Sequence, residues 1–264
     1  MTRILVASDI HSEFDRLGRL PPLPNEDEYD AVLLAGDLGL TINGMMWALA
    51  TFPHSKTLIM LNGNHEYYHG DKTDVRRAQQ AVIGQLIEAG RPAPVILLDP
   101  GTYEIGNTVI IGATLWSSLE LKGFYDHRTT DLMFERSIAD FKLIYDQGKR
   151  RTADDHRADF EREQAFIKQQ LEEYKDSGRT IVVATHFVPS QMCIDPIYAN
   201  SPLNPYFTVD MDDLMLDYSI DTWFFGHTHS KMSKVHPSGT KLICNPAGYP
   251  GEHQNFSWDI YTFE

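Results

Sequence analysis

Ile4-Leu5-Val6-Ala7-Ser8-Asp9-Ile10-His11 is a short apolar run that ends on two side chains able to ligate a metal. The construction recurs four times. Ala31-Val32-Leu33-Leu34-Ala35 leads into Gly36-Asp37, Leu58-Ile59-Met60-Leu61 into Gly63-Asn64-His65-Glu66, Ile181-Val182-Val183-Ala184 into Thr185-His186, and Trp223-Phe224-Phe225 into Gly226-His227-Thr228-His229. Continuous apolar runs of this length, bounded by turn residues, read as buried strands. The polar clusters therefore fall at strand ends, the edge of an open α/β sheet at which ligands bind.

Side chains alternate along an extended strand, so Asp9 and His11 are expected on one side, as are His227 and His229. Asp37, Asn64 and His186 add a carboxylate, an amide oxygen and an imidazole. Oxygen and nitrogen donors without thiolate suit Mn, Fe, Zn or Ni in an open, water-accessible site better than a closed structural zinc site. Taken singly, each motif has an ordinary reading: Gly-Asp and Gly-Asn mark turns, and a lone His186 reads as a hydrogen-bonded core histidine. The ordered set, each member closing a strand, points instead to one two-metal hydrolytic site. His54, His69, His156 and His236 read as surface or loop residues.

With 264 residues and 42% hydrophobic content, the chain is expected to form a single α/β domain over 1–264. A helix is expected from Thr73 to a stop at Gly90, and a hairpin from Thr102–Ile105 and Thr108–Ala113 around Gly106-Asn107. From about 117 to 178 no strand candidate occurs. Phe160, Ile167, Leu171 and Tyr174 form one apolar helical stripe, and Leu132 to Tyr145 suggests a second helix, so this stretch reads as a helical cap insertion. Within it, Tyr125, His127 and Arg128 bring an aromatic, a proton carrier and a guanidinium close together, which makes them candidate substrate contacts. Two late strands, after Lys241 and around Trp258, are joined by a loop that carries Asn245 and His253 toward the His227 and His229 pair; these two are also candidate substrate contacts.

Charge narrows the partners. The formal net charge is −14, from 37 acidic and 23 basic residues, whereas a grip on extended nucleic acid calls for a basic patch. Lys149-Arg150-Arg151 and Arg76-Arg77 are short clusters that read as solvated helix ends. Two cysteines, Cys193 and Cys244, make no disulfide framework or zinc-finger spacing. With the first motif starting directly after Met1, no leader and no membrane span are expected, and the protein is expected in the cytoplasm. Oligomeric state is not readable.

The motifs D-x-H, GD, GNH(D/E), H and GHxH, in this order from Asp9 to His229, resemble the calcineurin-like metallophosphoesterases. That resemblance implies a four-layer α/β/β/α sandwich of two mixed sheets and two divalent ions, with Mn first and Fe, Zn or Ni as alternatives. It implies that Asp9, His11, Asp37 and His229 hold one ion and Asn64, His186 and His227 the other, with Asp37 bridging. It also implies that His65 is the catalytic histidine, outside the ligand set. The chain departs from the protein-phosphatase branch, which extends its second motif to GDxVDRG. Here Gly36-Asp37-Leu38-Gly39-Leu40-Thr41 has Leu40 where an aspartate would orient the histidine, and no phosphate-binding arginine comes after it. The residue that orients His65 stays open at this point.

The expected function is hydrolysis of small phosphate esters by metal-activated water, diesters such as cyclic nucleotides ahead of monoesters. A nuclease acting on single-stranded DNA or RNA is the alternative, and the acidic composition argues against it. A non-catalytic metal-bound scaffold is the third reading, and His65 argues against that.

Overall fold

A computed structural model of the chain describes residues 1–14, 20–123, 127–252 and 256–264, and the side chains of 127–130 lie outside the description. The apolar runs form two sheets. The first contains β1 (Thr2–Ala7), β2 (Ala31–Ala35), β3 (Thr57–Leu61) and β4 (Val95–Leu97), all parallel, with β13 (Asp259–Phe263) antiparallel on the outer side of β1. The second has the order β11 (Met232–Val235), β12 (Lys241–Cys244), β10 (Thr222–Phe225), β9 (Thr180–Thr185), β6 (Thr108–Ala113) and β5 (Gly101–Ile105). Its four central strands are parallel and both edge strands are antiparallel. The two late strands therefore belong to different sheets.

The alternation of side chains sorts each run into two packed layers. Ile4, Val6, Leu33 and Ile59 of the first sheet meet Ile110, Val182, Phe224 and Ile243 of the second. The opposite face of the first sheet, with Leu5, Val32 and Met60, packs on α1 (Asn43–Thr51) and α2 (Lys72–Glu88). The opposite face of the second, with Ile111, Val183 and Trp223, packs on α5 (Ala153–Tyr174) and α7 (Asp212–Asp217) through Ile167, Leu171, Leu214 and Met215. The result is the four-layer α/β/β/α sandwich of two mixed sheets. Among the described residues no helix is long and apolar enough to cross a membrane.

The 117–178 stretch divides in two. α3 (His127–Ser137), α4 (Asp140–Leu143) and the short hairpin of β7 (Tyr145–Asp146) and β8 (Lys149–Arg150) stand over the strand ends. Phe134, Phe141 and Ile144 pack there with Trp116, Phe187 and Tyr206, the last on α6 (Asn204–Phe207). α5, expected in the cap, instead forms the outer layer of the second sheet along its C-terminal half. Its N-terminal half carries Asp159, which receives Lys72 from α2 and Arg151, whose guanidinium lies 4.0 Å from the Trp116 ring centre. His156 also lies on this helix, buried against Trp116 and Phe141 and accepting from the Ser117 N–H at 3.2 Å, so its expected surface position is corrected. His236 is likewise buried, in the turn between β11 and β12.

Candidate metal centre

The strands stop just short of the site, and turns complete it. Asp9, His11, Asp37, His227 and His229 have φ of 51°, 49°, 53°, 66° and 48°, the left-handed region that residues with a side chain rarely occupy. Backbone bonds hold this geometry: Asp9 N–H donates to Gly36 O at 3.0 Å and His11 N–H to Asp37 O at 2.9 Å. Left-handed turns after β1 and β10, not the strand pleat, therefore bring Asp9, His11 and His229 into one donor group and aim His227 into another. Two glycines permit the approach. A Cβ on Gly63 would lie 2.1 Å from Asp37 Oδ1, and one on Gly226 2.7 Å from Asp9 Oδ2.

Seven expected ligands and His65 converge. Asp9, His11 and His229 form one group, Asp37, His186 and His227 another, and His11, Asp37 and His65 lie between them. Asn64 joins the second group, its Oδ1 3.2 Å from His186 Nε2. Asp37 Oδ2 lies 3.3 Å from His186 Nε2 and 3.9 Å from both His11 Nε2 and His65 Nε2, the central position a bridging carboxylate needs.

The donor atoms fit cations. His11 Nδ1 faces Glu13 Oε1 at 3.2 Å and His229 Nδ1 faces Glu252 Oε2 at 2.7 Å, so each ring places its proton on the carboxylate side. The two Nε2 lone pairs then confront one another at 3.0 Å, an arrangement that a cation relieves. His186 Nδ1 is likewise committed to Ala35 O at 3.0 Å, leaving Nε2 to point at Asn64 and Asp37. His227 Nε2 is buried with no hydrogen-bond partner. Burial, reinforced by His186, holds the His227 pKa well below its usual value, so its lone pair is available for coordination.

Carboxylates and an amide around these donors fix their directions. Glu66, fully enclosed, accepts the N–H groups of Asp37, Leu38 and Gly63 and so locks two of the turns. Burial and the neighbouring Asp37 charge push Glu66 up to about 7. Asp140, at the start of α4, accepts from Asn64 Nδ2 at 2.9 Å, Tyr68 Oη at 2.9 Å and Tyr206 Oη at 2.6 Å, which turns the Asn64 carbonyl toward His186. Glu13 answers the orientation of His65. Its Oε1 accepts from His65 Nδ1 at 2.9 Å as well as from His11, so His65 Nε2 faces the cavity beside Tyr249 Oη at 3.3 Å. Burial works against a charged His65, yet Asp37 and the Glu13 bond outweigh it and raise its pKa to about 9. Glu13 itself, despite burial, is drawn down to about 2 by His11 and His65. Bound cations would offset part of the Asp37 charge, while the Glu13 carboxylate at Nδ1 continues to favour the imidazolium that can donate from Nε2.

A cavity of about 400 Å³ opens over Asp37, Asn64, His65, His227 and His229. Its outer wall comes from the α3–α4 corner and from the segment between β9 and α6. Of the expected substrate contacts, Asn245 does not reach it. Its Nδ2 instead donates to Val6 O at 2.9 Å and Ser257 O at 3.0 Å, where the chain passes between sheets. Tyr125 and His253, and the side chains of His127 and Arg128, lie outside the described residues. Glu13, Tyr68, Asp140, Tyr206, Tyr249 and Glu252 were not singled out from sequence. Tyr249 and Glu252 lie on the loop expected to approach the histidines, and Glu13 lies two residues past His11.

Comparison with known proteins agrees with this architecture. Residues 2–231 match the family model for calcineurin-like phosphoesterases. An uncharacterised protein of Acanthamoeba polyphaga mimivirus is 30% identical over 251 residues, covering 89% of this chain and 83% of that protein. The crystal structure of a phosphopantetheinyl hydrolase from Mycobacterium tuberculosis superposes with a TM-score of 0.71 at 18% identity, over 97% of this chain and 94% of that one. A dimetal phosphatase from Danio rerio superposes with a TM-score of 0.52 at 12% identity, over 92% of this chain and 86% of that one. At such identities these structures establish the shared fold. The chain belongs to the calcineurin-like phosphoesterase family of metal-dependent hydrolases.

Proposed function

We propose that this protein is a dinuclear phosphoesterase acting on small phosphate esters, diesters ahead of monoesters, in the cytoplasm. The observation that carries the reading is the pair of histidine Nε2 atoms 3.0 Å apart, each ring held by a carboxylate, joined through Asp37 to a second donor group. Asp9, His11, Asp37 and His229 would hold one ion, and Asn64, His186 and His227 the other, with Asp37 shared. Ions bound there supply positive charge that lowers the pKa of water and stabilises the phosphoryl oxygens during attack. His65, held at Nδ1 by Glu13, delivers a proton from Nε2 to the departing oxygen. Among the described residues lining the cavity there is no lysine or arginine, which suits a diester monoanion better than a monoester dianion. Oxygen and nitrogen donors without thiolate support Mn first, with Fe, Zn or Ni as alternatives. The two free, buried cysteines accord with a reducing compartment.

The test is a hydrolysis panel with Mn and other divalent ions, comparing monoesters, linear and cyclic diesters, and oligonucleotides. Small diesters should be cleaved fastest. Asp37→Asn should lower metal content at both positions and remove nearly all activity, since a neutral amide cannot hold two dications together. Fastest cleavage of oligonucleotides with steep salt dependence would favour the nuclease instead. Metal binding without cleavage of any class would favour the scaffold.

A further inference from the structure

The cavity over the histidines is larger than a phosphoryl group alone requires. About 400 Å³ is within the range of pockets that enclose small organic ligands, roughly 300–1,000 Å³. Its apolar wall is formed by Ile138, Val188, Ile194, Tyr198, Leu203 and Phe207, the last stacked on His227 with ring centres 4.8 Å apart. These residues come from three separate places: the α3–α4 corner, the loop after β9, and the approach to and last residue of α6. The charged groups on the lining are all acids or metal-site histidines, and no lysine or arginine occurs among its described residues. Asp195 on this wall accepts from two neutral donors, the Ile197 N–H at 2.9 Å and Ser230 Oγ at 2.9 Å.

We infer that this wall binds a neutral, largely apolar arm of the ester, and that a substrate carrying a second phosphate is rejected. The inference rests on the phosphoesterase reading and names its substrate class. An alkyl or acyl-bearing arm gains by leaving water against the aliphatic wall, at about fourfold in affinity per buried methylene. A second phosphate would lose its hydration next to Asp195 and Glu252 with no lysine or arginine among the described lining residues to receive it, which is the costly case for a buried charge.

Two readouts test this. With Mn-loaded protein, kcat/KM is compared for p-nitrophenyl phosphodiesters whose second arm is methyl, butyl, hexyl or a hexyl chain ending in phosphate. Separately, binding of methyl- and hexylphosphonate is measured by calorimetry. Hexyl should exceed methyl by roughly 30-fold or more in both assays, a gain that burial of only a few of the five added methylenes supplies. The phosphate-terminated arm should fall below plain hexyl by at least tenfold. Ile194→Ala should cut the hexyl advantage severalfold while methyl rates and metal content stay unchanged. Leu203→Lys should reverse the order of the last two substrates; should that variant fail to fold, the wild-type series and Ile194→Ala still decide the matter. Equal rates along the series, or wild-type preference for the phosphate-terminated arm, would overturn the inference while leaving the phosphoesterase reading intact. Chain-length-dependent phosphonate binding without any hydrolysis would sink the phosphoesterase reading and support the assignment of the wall.

Discussion

At the scale of single residues, His65 is the group whose role depends most on a neighbour. Glu13 Oε1 lies 2.9 Å from its Nδ1, supplying the acceptor that Leu40 cannot. A proton donor matters most when the leaving oxygen is poor, so His65→Ala should slow alkyl esters by about 10²–10⁴-fold. p-Nitrophenyl esters, which depart without protonation, should lose far less. Glu13→Ala should copy that leaving-group dependence in weaker form, and Glu13→Gln, which keeps an acceptor oxygen, should recover part of the loss. Rates on the two ester types, with metal content measured alongside, check this; equal losses on both types would make His65 a ligand or phosphate contact. Asp9, His11, Asp37, Asn64, His65, His186, His227 and His229 were legible because each closes an apolar run. Glu13 was not, because a glutamate in a turn acquires meaning only when His65 arrives from the turn after β3. Asn245 was misjudged for the same cause: its closeness in sequence to His229 said nothing of the Val6 and Ser257 carbonyls that claim its amide.

At the scale of elements, α4 is four residues long and yet sets the direction of one candidate ligand. Its first residue, Asp140, accepts from Asn64 and from two tyrosine hydroxyls, so the amide nitrogen of Asn64 is occupied and its oxygen faces His186. Asp140→Ala should weaken metal binding at the Asn64, His186 and His227 position by about 10–100-fold, the usual effect of losing such a support. The Asp9, His11 and His229 position should keep its affinity. Titration of the two positions with Mn resolves the difference, and equal weakening at both would show a general loss of structure. The parallel strands were readable as elements because continuous runs of three to five apolar residues need cover on both faces. β7 and β8 have two residues each and β11 alternates between exposed and half-buried, so local sequence carried no comparable signal for them.

At the scale of the whole molecule, buried charge ties the outer layers to the sandwich. Glu163 on α5 is enclosed, and its Oε2 accepts the Leu115 N–H at the end of β6 at 2.6 Å. Burial first, then Asp99 and Asp159, raise its pKa to about 7 from an ordinary 4.5. The folded chain thus binds this proton more tightly than the unfolded chain. Glu163 favours folding most below pH 4.5, and its contribution declines as pH rises toward about 7. Gln at this position keeps an acceptor without the ionisation, so Glu163→Gln should gain stability relative to the parent across that window. Denaturant midpoints of both proteins at several pH values check the slope; parallel pH curves would count against the shift. The sequence by itself determined the apolar strands, their order along the chain and the polar groups at their ends, because a continuous apolar run must be buried and the polar residues after it must turn. Tertiary structure alone decided which sheet each late strand joined, that α5 covers a sheet, that left-handed turns aim the histidines, and which carboxylate orients each ring. Apart from the neighbouring His11 and Glu13, those are contacts between segments tens to hundreds of residues apart, and no local pattern of hydrophobicity encodes the partner a side chain meets across such a distance.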